Sequence, residues 1–350
     1  MRAGRLAALA LLVLALGGLA WWVLERDAGG SAADEALLLP GFAASSQDVD
    51  RIQVQAAGGE VIVEIVKRDG LWRMPDRQDW PANQREVSQA LFRLGEARKL
   101  EAKTATPALH ARLGVEDVSA PEAKGAQLSL SGGGQAWHIT VGRNHPALGG
   151  SYVRLSDQAQ TWLLDSDIAP ARNPVDWLDR RLLDIPLARI DAVRISPSGG
   201  RPFALGRRED ALRLDDVAPA ALADADAGNA TGGFTDQLAF DDVAADAGTA
   251  ALQTVEFESV EGIRVRVEAW TESPGTWARL SAQLDVPTAR EWLAREPEAE
   301  DAQAPEARLQ ALEARVAQWQ ARFQGHQFLL PPFKAEHLMK ARDAYLAEPE

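Results

Sequence analysis

One strand pattern occurs twice in this chain, about 141 positions apart, and it constrains the fold more than any other feature. Asp50, Gly58-Gly59, Asp69 and Leu71 fall on Asp191, Gly199-Gly200, Asp210 and Leu212, while Ile52 and Val54 fall on Val193 and Ile195. In the first copy Arg51 to Gln55 alternates apolar and polar residues, Glu60 to Val66 follows a glycine turn, and Leu71 to Met74 follows Asp69-Gly70. That spacing predicts a three-stranded antiparallel meander. Further on, Leu128 and Leu130 correspond to Val255 and Phe257, and Tyr152 to Leu155 is similar to Trp277 to Leu280. Two readings stand: duplication of one α+β unit, which is favoured, or chance likeness between two amphipathic meanders.

Between the meanders, Asn83 is placed to cap a helix with Glu86 three residues on and a stripe of Val87, Ala90, Leu91 and Leu94. A second short helix starts at Thr106-Pro107 and ends at Gly114. Strands follow at Ala126 to Leu130, Ala136 to Val141, Tyr152 to Leu155 and Thr161 to Leu164, and Asn173-Pro174 caps an expected helix carrying Trp177, Leu178 and Leu182. In the second copy Asp215 to Gly248 is rich in Asp, Ala and Gly, which predicts a mobile acidic loop with one short helix. The C-terminal part is expected to be helical. Its Leu309, Leu312, Val316, Trp319 and Phe323 recur at coiled-coil spacing, for packing either on the protein's own sheet or on a partner helix.

The first segment, Leu6 to Leu24, is uncharged and apolar over about 19 residues, close to the roughly 20 that cross a bilayer as a helix. Arg2 and Arg5 precede it, Glu25, Arg26 and Asp27 follow it, and Trp21 and Trp22 fall at the outer interface, which keeps the N-terminus cytoplasmic. A cleaved signal peptide is the competing reading, with Gly18 and Ala20 before the cut. The expected layout is therefore an α+β protein: an anchor or signal peptide at 1–27, a linker at 28–47 and a first repeat at 48–186. A second repeat follows at 187–285, with its acidic loop at 215–248, and then a helical region at 286–350.

Composition narrows the chemistry. With 37 Lys and Arg against 51 Asp and Glu, the net charge of -14 repels phosphates and excludes nucleic acid as a partner. No cysteine is present, which removes disulfides, zinc-thiolate sites and thiol nucleophiles. No phosphate-binding loop, dinucleotide fingerprint, nucleophile elbow or zinc-protease helix occurs. Gly132-Gly133-Gly134 lies between two strand patterns and reads as a hairpin turn. His138 and His145 lack a third metal ligand nearby. Asp224 to Asn229 departs from the calcium-loop pattern, with Asn229 where Gly belongs and Thr235 where Glu belongs. Neither a catalytic set nor a cofactor is expected.

The run Asp176 to Pro186 carries Trp177, Arg180 and Arg181 and is read either as a helix joining the repeats or as a docking surface, with Trp319 as a further interaction residue. Trp177 to Pro186 (WLDRRLLDIP), His110 to Asp117 (HARLGVED) and Leu330 to Lys334 (LPPFK) resemble bacterial domain-of-unknown-function family 4340, as does the layout of a hydrophobic segment before two meanders. The resemblance implies an exported, membrane-anchored accessory protein associated with ABC-2-type or gliding-motility-type transporter components, and no catalytic residues. The expectation is a non-enzymatic, single-pass protein of the bacterial inner membrane with its bulk periplasmic or extracytoplasmic. Its partners would be the lipid bilayer through residues 6–24 and a transporter permease or auxiliary subunit. The alternative is a module that binds an envelope glycan or small molecule in a cleft between the repeats.

Overall fold

The computed structural model describes residues 36–295 and 304–347. The chain forms two compact units: residues up to Pro75 with Pro81–Leu178, and Asp76–Trp80 with Asp179 onward.

The first nine strands are β1 (Val49–Gln55), β2 (Val61–Arg68), β3 (Leu71–Met74), β4 (Trp80–Pro81), β5 (Lys99–Ala102), β6 (Ala126–Gly132), β7 (Gln135–Asn144), β8 (Ser151–Leu155) and β9 (Thr161–Leu164). They form one sheet in the order β4-β3-β2-β1-β6-β7-β8-β9-β5, and each pair from β3 to β5 is antiparallel. A bulge between Val49 and Arg51 leaves Asp50 and Arg51 both exposed, so that Val49, Ile52 and Val54 are all buried. A bulge resets the two-residue alternation in this way. Helix α1 (Gln84–Glu96) starts where Asn83 Oδ1 accepts the Arg85 and Glu86 N–H groups at 3.2 and 3.4 Å, and it buries Val87 and Leu94.

Beyond β9 the backbone is locked by Asp167 and Ser151. Asp167 accepts from Asn144 Nδ2 at 2.7 Å, Ser151 Oγ at 2.9 Å and Ala169 N–H at 2.9 Å, and Ser151 Oγ accepts Ile168 N–H at 3.1 Å. Burial pushes the Asp167 carboxyl up, but these hydrogen bonds and the nearby Arg93 charge outweigh it and hold the group below the ordinary value of 3.8. A carboxylate with a depressed folded pKa contributes stability above its unfolded pKa and loses it as pH falls through the folded value. Urea midpoints measured from about pH 4 down to pH 2 should therefore fall less steeply in Asp167→Asn than in the wild type.

The second unit contains β10 (Arg181–Leu183), β11 (Ile190–Pro197), β12 (Phe203–Arg208), β13 (Ala211–Leu214), β14 (Leu238–Ala239), β15 (Asp242–Ala245), β16 (Gln253–Ser259), β17 (Ile263–Glu272), β18 (Gly275–Leu284) and β19 (His326–Leu329). Strands β10 and β14 pair with each other, and the other eight form a sheet in the order β13-β12-β11-β16-β17-β18-β19-β15. The first unit shows the same order from β3 to β5. Registers agree as well: Ile52 pairs with Leu130 and Val54 with Leu128, as Val193 pairs with Phe257 and Ile195 with Val255. The bulge recurs between Ile190 and Ala192.

Several expectations need correction. The architecture is dominated by antiparallel sheets of nine and eight strands rather than being an α+β fold with a helical C-terminus. Helices α2 (Val286–Arg295), α3 (Pro305–Phe323) and α4 (Pro332–Leu338) are interrupted by β19, which pairs with both β18 and β15. Gly325, at φ 77°, turns the chain out of α3 and into that strand. The expected membrane span over residues 6–24, with Leu6, Trp21, Trp22 and Leu24, lies outside the described residues. Among the described residues no helix is long and apolar enough to cross a membrane. The longest, α3, carries Glu306, Arg308, Glu313, Arg315 and Arg322. The single-pass inner-membrane placement therefore finds no support in any described helix.

The expected helix at 174–182 is a single 3-10 turn, Pro174–Trp177, followed by extended backbone and β10. Strand pairing wins there because it gives the backbone partners: Phe240 N–H donates to Arg180 O at 3.2 Å and Ile185 N–H to Thr235 O at 3.0 Å. The acidic stretch at 215–248 is also more ordered than its composition suggests. Phe234, Leu238, Phe240 and Val243 are each at most 2% exposed and hold β14 and β15 in place.

Candidate functional site

The two sheets differ most in one connection. Residues 156–160 join β8 to β9 in the first unit, whereas the corresponding β18-to-β19 connection runs from 285 to 325 and contains α2 and α3. An insertion into a repeated scaffold leaves the sheet intact and is free to carry a function.

Local sequence explains both helices. Asp285 Oδ1 accepts Thr288 N–H at 3.3 Å at the start of α2, whose Ala289 and Leu293 are buried. Pro305 opens α3 with a preset φ, Glu306 complements the helix N-terminus, and Leu309, Leu312, Val316 and Phe323 are buried. Gln320 Oε1 accepts Ala282 N–H at 2.8 Å, tying α3 to β18. The heptad-like seam of α3 is therefore spent on the protein's own sheet.

Residues of the two helices line a cavity of about 280 Å³: Trp292, Leu293, Arg308, Ala311, Leu312 and Arg315. The Trp292 ring lies 5.3 Å from the Arg189 guanidinium and 5.6 Å from that of Arg308. Arg315 stands 5.3 Å from the Trp319 ring. Glu261, only 9% exposed, pairs with Arg189 and, at 3.1 Å, with Arg315. Arg308 makes no ion pair among the described residues. Among the described residues of this cluster, the guanidiniums of Arg189, Arg308 and Arg315 face the single carboxylate of Glu261. Chemically, such a site can receive a carboxylate: the arginine forks offer paired donors, and their cation–π contacts with the indole rings hold them in position.

The residues singled out from sequence are dispersed. Trp177 is 4% exposed in the first unit, with its indole N–H donating to Ala171 O at 2.9 Å. Arg180 belongs to the second unit, where it donates to Phe240 O at 2.5 Å and pairs with Asp241. Arg181 lies on β10 opposite Ala239. Of the four, only Trp319 lies on the hairpin. Trp292, Arg308, Arg189 and Glu261 escaped sequence reasoning because Arg189, in the turn before β11, and Glu261, in the turn between β16 and β17, reach the hairpin through long-range packing. The one local signal was a tryptophan on a helix flanked by arginines.

Other candidates resolve into structure. His145 Nδ1 accepts the Ala147 and Leu148 N–H groups at 3.2 and 3.1 Å, closing a turn, and His138 Nδ1 lies 3.0 Å from Ser129 Oγ. Among the described residues no group of three or more His, Cys, Asp or Glu could hold a metal ion. Comparison with curated proteins finds no match, and comparison with solved structures finds none. A family model described as "Domain of unknown function (DUF4340)" matches residues 72–314, which takes in most of both sheets together with α2 and the start of α3. The chain accordingly belongs to the DUF4340 family.

Proposed function

We propose that this protein is a non-enzymatic accessory subunit that uses the α2–α3 hairpin to capture an acidic segment of a protein partner. The observation that carries the reading is the Trp292 ring in contact with both the Arg189 and the Arg308 guanidinium, Arg308 making no ion pair among the described residues. Charge complementarity selects the partner's carboxylates, and the Trp292 and Leu293 surface gives them an apolar neighbour to bury. The resemblance in the WLDRRLLDIP and LPPFK runs supports an ABC-type transporter permease or its auxiliary subunit as the partner class.

The test is affinity capture of the full chain from its native cells in mild detergent, wild type beside Arg308→Glu. A transporter component is expected with the wild type and about tenfold or more reduced with the charge reversal. Recovery of the chain alone, or equal recovery with both, would refute the reading.

A further inference from the structure

The first unit holds a cavity of about 120 Å³ between α1, the strands β1 and β6, and the segment after β9. Its walls are Ile52, Leu94, Leu128, Leu130, Ile168 and Trp177, each less than a tenth exposed. The far wall cannot simply fall inward. Ile168 and Ala169 are tied to Ser151 and Asp167, the Trp177 indole N–H holds Ala171 O, and Arg172 donates to Lys124 O at 2.7 Å.

The second unit shows that the scaffold does not require this void. Phe257 occupies the place of Leu130, and Phe234 stacks flat on it, with ring centroids 5.3 Å apart and planes within 11°. Both rings are at most 1% exposed. One copy of the sheet fills its interior with aromatic rings, whereas the other leaves it open. An unfilled apolar void destabilises a fold, and one of about 150 Å³ is large enough to take a benzene ring.

At the mouth stand Glu86, Arg93 and Asp176. Arg93 is electrostatically coupled to Asp167. The Glu86 and Asp176 carboxylates make no hydrogen bond or ion pair among the described residues. An apolar chamber with two unengaged carboxylates at its entrance suits a compact apolar group attached to a cation. We propose that the first unit binds a small organic ammonium, a single ring or short branched alkyl group carrying an amine, with its apolar part in the cavity and its nitrogen between Glu86 and Asp176. This site is lined wholly by first-unit residues and is independent of the hairpin reading.

The experiment titrates the full-length protein with phenethylamine, phenylacetate and toluene by ligand-observed NMR. Phenethylamine should bind saturably at concentrations of about 10 mM or below, and at least about tenfold more tightly than phenylacetate. Leu130→Phe, which places in the first unit the side chain already accommodated in the second, should abolish binding. Glu86→Gln with Asp176→Asn changes no fully buried residue, and it should reduce phenethylamine to the affinity of toluene. Absence of saturable phenethylamine binding, equal binding of phenylacetate, persistence of binding in folded Leu130→Phe, or an unchanged amine preference in the double variant would each overturn the proposal.

Discussion

Trp80→Ala should lower the unfolding free energy of the second unit by about 3–5 kcal/mol, the cost of deleting a large buried aromatic side chain. Trp80 comes from the connection after β3, yet its residues 76–80 belong to the second unit. It is 1% exposed. Its ring meets Phe240, His326 and Phe328 edge-on at centroid distances of 5.2 to 5.3 Å, and its indole N–H donates to Asp179 O at 2.8 Å. The Arg322 guanidinium lies 4.7 Å from the ring, and Arg77 pairs with Asp242 at 2.8 Å to hold the same five residues. Urea denaturation should show the loss as a lower midpoint, and hydrogen exchange should quicken in β15 and β19. Trp80→Phe keeps a ring but loses the N–H bond, so it should cost less than the alanine variant. A loss below about 1 kcal/mol for Trp80→Ala would contradict the packing described, because it would be little more than the roughly 0.5 kcal/mol of an ordinary surface change.

Lys334→Met should cost about 2–3 kcal/mol, since it strands three backbone acceptors at a half-buried site. Lys334 Nζ donates to Gly233 O at 2.7 Å, Phe234 O at 3.1 Å and Asp236 O at 2.8 Å. These bonds pin the turn whose Thr235 O accepts Ile185 N–H and whose Phe234 stacks on Phe257. Burial lowers the amine's pKa below its ordinary 10.5, and the Asp236 and Asp184 charges offset part of that. A lysine with a depressed folded pKa binds its proton less readily when folded. Its contribution to stability therefore rises with pH between the lowered value and about 10.5. That rise should vanish in Lys334→Met. The role explains the LPPFK run: Pro332 starts α4, and Lys334 faces the turn from the first helical turn.

The meanders were legible because period-two alternation and turn glycines are local signals, and the matched bulges at Val49 and Ile190 arise from that same repeated pattern. The junction run misled because Pro174 after Asn173 is a valid helix start. What ends the helix after one turn is pairing with residues 235–240, some 55 positions away and not visible locally. Composition misjudged 215–248 for a similar reason, since four large apolar side chains outweigh many Asp and Ala residues once a core receives them. The C-terminal strand β19 was hidden because its partners lie in β18 and β15. At the hairpin, Trp319 was identified from periodicity. The Arg189–Trp292–Arg308 arrangement needed the fold, because cation–π contacts across three elements leave no spacing in the sequence.

The hairpin inserted into the second sheet is the proposed site of capture of an acidic protein segment. A photoreactive amino acid placed at Arg308 in the full-length protein tests it most directly, with the same residue placed at exposed Phe92 as the comparison. Mass spectrometry of the cross-linked products in native cells should identify one partner from position 308, joined through a peptide rich in Asp and Glu, and no such product from position 92. The same products from both positions, or a basic or wholly apolar peptide joined at position 308, would contradict the account.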